Sequence, residues 1–214
     1  MMENSLHLLN KKIKKCVICK RLVKFREKVA NQKTKRFSSD DYWGKPVTGF
    51  GDNNAEIIIL GLAPAAHGGN RTGRVFTGDR SAEFLFKCLY KAKMANQPHS
   101  TNLNDGLKLK NVYMTPVLKC VPPNDKPKAE ELKKCFKYLR KEFDFLKNAT
   151  TLLALGKIAF DSCLNLFDLK KTKYSFKHGS FYKVTQKLTL VACYHPSPRN
   201  VNTGRIDEAK MLCV

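Results

Sequence analysis

Four short apolar runs rich in β-branched residues, Glu56 to Gly61, Asn111 to Val117, Thr151 to Gly156 and Leu188 to Tyr194, alternate with segments of helical periodicity. The helical spacing spans Ser81 to Met94, Lys128 to Leu146 and Lys157 to Leu166, with a last helix starting near Arg205 and cut short at Val214. This alternation restricts the fold more than any other feature, because parallel strands need long crossovers and become covered on both faces. An α/β fold is expected, with a parallel sheet covered by helices on both faces. At 214 residues the chain suits one domain, residues 1–214. The lysine-rich stretch around Cys16 and Cys19, within about residues 1–40, is expected to be a helical appendage rather than core. Tyr42 to Val47 is rich in turn formers and is expected to be an irregular loop.

The apolar runs are far shorter than the ~20 residues that cross a bilayer, and Met1 to Lys15 lacks the pattern of a secretory signal. An intracellular, cytoplasmic protein with no membrane partner is expected. Lys and Arg number 40 against 18 acidic residues, a formal net charge of +22 spread along the chain. Such an excess raises self-repulsion that a polyanion relieves, so nucleic acid is the expected partner. Eight cysteines in such a chain are poorly explained by disulfides, which makes metal ligation the better use for some. Cys16 and Cys19 form a C-x-x-C pair, and Cys120 and Cys135 lie far from them; thiolates suit zinc as well as iron–sulfur clusters. Cys88, Cys163 and Cys193 fall on apolar periodicities and are expected in the core.

In open α/β sheets ligands bind beyond the carboxyl ends of the strands. The loop after the first run, GLAPAAHGGNRTGRVFTGD from Gly61 to Asp79, holds five glycines yet matches neither nucleotide-binding glycine motif. After the last run, His195-Pro196-Ser197-Pro198-Arg199-Asn200 is a short turn stiffened by two prolines. A zinc-stapled, non-catalytic DNA-binding protein would explain the charge and cysteines but leave these loops without purpose. A nucleotide-binding α/β enzyme would explain the loops and not the charge.

Together with YWGKPVTGFGD (Tyr42 to Asp52) and HPSPRNVNTGR (His195 to Arg205), the glycine-rich loop resembles the family 5, or type B, uracil-DNA glycosylases. The resemblance runs over nearly the whole chain. It implies a three-layer α/β/α sandwich with a central four-stranded parallel sheet, monofunctional removal of uracil from DNA in base excision repair by a monomer, near the nucleoid, and a [4Fe-4S] cluster on Cys16, Cys19, Cys120 and Cys135. It implies that Phe76 stacks on the extruded base and that His195 donates to a uracil carbonyl oxygen. Ala63 stands where related glycosylases carry Asp, Asn or Glu, and Pro116 stands where the family 4 enzymes carry an Asn that reads uracil, which leaves base selectivity open to other deaminated bases such as hypoxanthine. Asp79 is then the candidate for positioning water or stabilising the sugar cation, with a helix N-cap as its alternative. Ala63, His67 and Phe76 are expected at the base. Asn70, Arg71, Ser197, Arg199 and Asn200 are expected at the DNA, Arg199 to Val201 as a wedge.

Overall fold

The computed structural model describes residues 3–214; of the N-terminal stretch read above, Met1 and Met2 lie outside them. In chain order the elements are α1 (Glu3–Lys14), α2 (Lys20–Gln32), β1 (Phe50–Gly51), β2 (Ile57–Gly61), α3 (Gly69–Thr72), α4 (Arg80–Lys91), β3 (Val112–Pro116), α5 (Ala129–Phe145), β4 (Thr151–Leu155), α6 (Lys157–Leu166), β5 (Phe181–Lys183), β6 (Thr189–Cys193), α7 (Pro198–Asn202) and α8 (Glu208–Leu212). They form one six-stranded sheet ordered β1-β3-β2-β4-β6-β5. The four strands expected from sequence are its inner, mutually parallel members. β1 and β5 add short antiparallel margins on β3 and β6.

Strand residues alternate between two apolar layers, as the two-residue side-chain repeat requires. Ile58, Leu60, Tyr113, Leu152, Ala154, Leu190 and Ala192 face the layer of Leu139 on α5 and Phe160 and Cys163 on α6. Ile59, Val112, Met114, Leu153, Leu155 and Cys193 face Leu85, Phe86 and Cys88 on α4 and Met211 on α8. With both faces covered, the strands read as nearly continuous apolar runs.

The N-terminal stretch departs from the expected appendage. α1 packs on α5 and buries Leu6, Leu9 and Ile13 in the first layer. Their i, i+3, i+7 spacing makes one apolar stripe, and the lysines that suggested an appendage occupy the other faces. α8 is shorter than expected, because Asp207 caps it by accepting from Lys210 N and so sets its start after Arg205. Tyr42 to Val47 carries no regular element. No described helix is long and apolar enough to cross a membrane.

Candidate active site and cysteine cage

Because β2, β3, β4 and β6 are parallel, the loops that follow them emerge at one edge of the sheet. The glycine-rich loop and the proline-stiffened turn therefore share that edge. The loop after β3 is tied in as well, through Val117 N to Gly61 O and Leu118 N to Leu62 O, both 2.9 Å.

Phe76 lies directly over Gly61, where an added Cβ would sit 2.4 Å from the phenyl Cζ. Only a glycine at the end of β2 lets the ring approach the backbone this closely. Phe76 is also left-handed, φ 49°, a conformation an aromatic residue holds only when its surroundings fix it. Beside it in the loop, the buried guanidinium of Arg74 donates to Thr77 Oγ1 at 3.0 Å and Ser100 Oγ at 2.8 Å and pairs with Asp105 at 2.5 Å. Asp105 is held well below the usual carboxylate range by Arg74 and by backbone N–H groups, against the cost of its desolvation.

Asp79 divides its carboxylate between two surroundings. Oδ1 accepts from Ala82 N at 2.9 Å and caps α4, so the N-cap alternative is realised. Oδ2 lies against Gly68, 2.1 Å from where a Cβ would be, and so borders the glycine-lined hollow. Burial pushes the Asp79 carboxyl above its usual range, and the hydrogen bonds from Ala82 and Ser81 oppose that shift.

His195 begins the turn after β6. Its carbonyl accepts from Ser197 N at 2.7 Å and Asn200 Nδ2 at 2.8 Å, and Ser197 Oγ caps α7. Burial pushes the imidazole below its ordinary value, opposed by Asp125. A desolvated ring of this kind favours the neutral state, which keeps one N–H to donate. Asp125 belongs to the loop after β3, where Asn124 and Asp125 are both left-handed, at φ 53° and 55°. Sequence reasoning missed this pair. The available signal was an Asn-Asp dipeptide between Pro122-Pro123 and Lys126-Pro127, since these two side chains tolerate that conformation.

Several expected contact residues are spent inside the protein. Asn70 is buried and donates to Arg26 O at 3.2 Å, so it does not offer a surface for DNA. Arg71 donates to His67 O at 2.7 Å and Gly78 O at 2.9 Å, pairs with Asp40 at 2.6 Å, and stacks 3.9 Å over Phe37. These contacts brace the glycine-rich loop. His67 Nδ1 lies 2.9 Å from Tyr42 Oη, with its ring stacked on Phe37. Ala63 is half-buried against the apolar cluster around the cysteines. Ser197 and Asn200 shape the turn, while Arg199 is exposed.

Cys16, Cys19, Cys120 and Cys135 line one small apolar cavity with Leu22, Leu118 and Tyr138. Cys19 sits just before α2, Cys120 in the loop after β3 and Cys135 on α5. Arg21 on α2 clamps Glu131 on α5 with two 2.7 Å bonds, and Glu131 also accepts from Lys128 N at the start of α5. Two sulfurs already receive hydrogen bonds: Cys120 Sγ from Arg26 Nη1 at 3.1 Å, and Cys135 Sγ from Lys119 N at 3.3 Å. As free thiols they are pushed up by burial, Cys120 to about 11 and Cys135 to about 12. Soft donors supported by N–H groups in an apolar cage are the environment that thiolate-bound metal takes. Among the described residues no three His, Cys, Asp or Glu converge as a metal-ion site. Beneath the cage Lys119 Nζ and Glu142 form a buried ion pair at 2.5 Å, joined by Thr115 Oγ1 and Gly49 N.

Residues 48–212 match the model of the uracil DNA glycosylase superfamily. The chain is 44% identical over 191 residues to the type-5 uracil-DNA glycosylase of Pyrobaculum aerophilum, covering 89% of this chain and 82% of the relative. It is 42% identical over 197 residues to the type-5 enzyme of Thermus thermophilus, covering 92% and 89%. The type-4 uracil-DNA glycosylase of Archaeoglobus fulgidus is more distant, 33% identical over 155 residues, with coverage of 71% and 70%. A family match that spans both chemistry-bearing loops, on a fold that brings those loops to one sheet edge, places this chain in the uracil-DNA glycosylase superfamily.

Proposed function

We propose that this chain is a type-5 uracil-DNA glycosylase that removes uracil from DNA, leaving an abasic site for base excision repair. The observation that carries the reading is Phe76 held over Gly61 at the same sheet edge as His195. A base inside a duplex cannot reach such a hollow, so the nucleotide is first rotated out. The phenyl face of Phe76 receives the extruded base, and neutral His195 donates to a carbonyl oxygen as negative charge develops on the departing uracil. Asp79, with one oxygen committed to the helix cap, presents the other for water or for the sugar cation. Exposed Arg199 and surface lysines elsewhere on the chain hold phosphates. Pro116, in register with Gly61, has no side-chain amide with which to read a base edge. This supports a substrate range that extends to other deaminated bases.

Incubation with a uracil-containing duplex followed by alkali should give a strand break at the uracil position. His195→Ala should slow that release about 100-fold, the loss of one well-placed donor, about 3 kcal/mol. Because burial lowers the His195 imidazole from its ordinary value, the acid limb of the wild-type rate profile that this group sets should fall below pH 6.5. Absence of released uracil would overturn the reading.

The four-cysteine cage is read as holding a [4Fe-4S] cluster, supported by its four thiols and the two N–H donors to sulfur. The group is structural here, and when bound it supplies cross-links between α2, the loop after β3 and α5. Purified protein should absorb visible light and contain iron. A colourless protein containing zinc would reverse the assignment.

A further inference from the structure

Beside the glycine-rich loop, and outside every residue assigned to base or DNA above, an open groove of about 690 Å³ runs between the end of α1, the face of α2 and the Tyr42–Lys45 turn. Lys14 and Lys15 line one side, Lys45 the other, and Trp43 lies between. Lys14 Nζ and Lys45 Nζ each stand 5.5 Å from the centre of the indole ring. Glu27 is the acidic side chain in the lining, and it lies 3.8 Å from the buried Arg26 guanidinium, so its charge is partly answered from within.

The Trp43 turn is bound rigidly to the catalytic loop. Trp43 N donates to Arg71 O at 2.8 Å, Gly44 N donates to Asn70 O at 3.0 Å, and the indole Nε1 donates to Pro46 O at 3.1 Å. The indole also packs on Gly73, and Tyr42 bonds His67. A strand leaving the hollow beside His67 therefore meets a fixed aromatic face flanked by ammonium groups. That combination suits a phosphodiester backbone with its sugars and bases.

We propose that this groove is a second DNA-contact site, a track for the backbone flanking the nucleotide held in the hollow. The proposal rests on the glycosylase reading and extends its footprint. It also explains two features left over from that reading, the lysines at the end of α1 and the packing of Asn70 and Arg71 into the interior. In this arrangement those two residues act as the mount that fixes the turn relative to the hollow.

Two measurements test it. Trp43 is the only tryptophan of the chain. Titrating wild type with a duplex that carries an abasic-site analogue should therefore change tryptophan emission with the same Kd as an independent binding assay. The double variant Lys14→Gln/Lys45→Gln should bind that duplex about tenfold more weakly at 0.1 M salt. Its slope of log K against log salt should fall by about 1.8, two phosphate contacts at about 0.9 each, while its rate on saturating uracil duplex stays unchanged. Lys183→Gln/Lys187→Gln, at the opposite margin of the sheet, serves as the control and should keep the wild-type slope. Unchanged emission on saturation, or an equal loss in both double variants, would overturn the groove. Binding with the expected slopes but no uracil release would defeat the glycosylase reading and leave the groove standing.

Discussion

At the scale of single residues, Asp79 carries two duties that substitution can separate. Asparagine keeps an oxygen for Ala82 N, whereas alanine does not, so Asp79→Ala should lose about 1 kcal/mol of stability and Asp79→Asn almost none. Both should slow uracil release by about 100-fold if the charge of Oδ2 is used. Thermal melts and single-turnover rates on the same preparations check this. The pH sign follows from burial: a folded-state pKa above 3.8 means the native carboxyl binds its proton more tightly than the unfolded one. Asp79 therefore contributes stability at low pH that is lost as pH rises through 3.8 and the raised value, and Asp79→Asn should flatten that part of the profile. The fixed placement of His195 and Phe76 at one sheet edge was legible in the sequence because each sits in a short stretch whose glycines or prolines leave the backbone few options. Asn70 and Arg71 were not, since polarity in a glycine-rich loop looks the same whether a side chain serves a ligand or the loop's own carbonyls. Asn124 and Asp125 escaped because the left-handed pair that turns the loop toward His195 becomes visible only with the backbone in place.

At the scale of elements, the buried Lys119–Glu142 pair joins the loop after β3 to α5, two turns beyond Cys135. Removing one charge leaves the other desolvated and unpaired. Glu142→Gln should therefore destabilise the protein by about 3 kcal/mol, whereas Lys119→Met with Glu142→Leu should recover most of that loss. Urea unfolding of the three proteins measures the difference. Elements with clear periodicity were readable: the four inner strands and α4, α5 and α6 fall close to their expected spans. α2 was read only coarsely, as part of a lysine-rich helical appendage, because of its thirteen residues only Leu22 and Arg26 are buried. β5 alternates exposed and half-buried residues over three positions, too little for a strand signal.

At the scale of the whole molecule, the cage joins a point near the N-terminus to two sites more than a hundred positions later in the chain, so its loss should be felt globally. Cys135→Ala should abolish visible absorbance and lower the melting temperature by several degrees, and both should be reproduced by chelator treatment of wild type. The charge of +22 was legible at once as a sign of a polyanion partner, but composition alone could not say where on the surface that charge is organised. Only the fold sets Lys14 beside Lys45, thirty-one positions apart in the chain. The margins of the sheet have a further consequence. β1 offers two residues and β5 three, each antiparallel to its neighbour, so among the described residues the outermost backbone ladders are too short to template a foreign strand. Copies of this protein consequently have little exposed strand backbone through which to zip together edge to edge, a protection set by the shortness of those two strands.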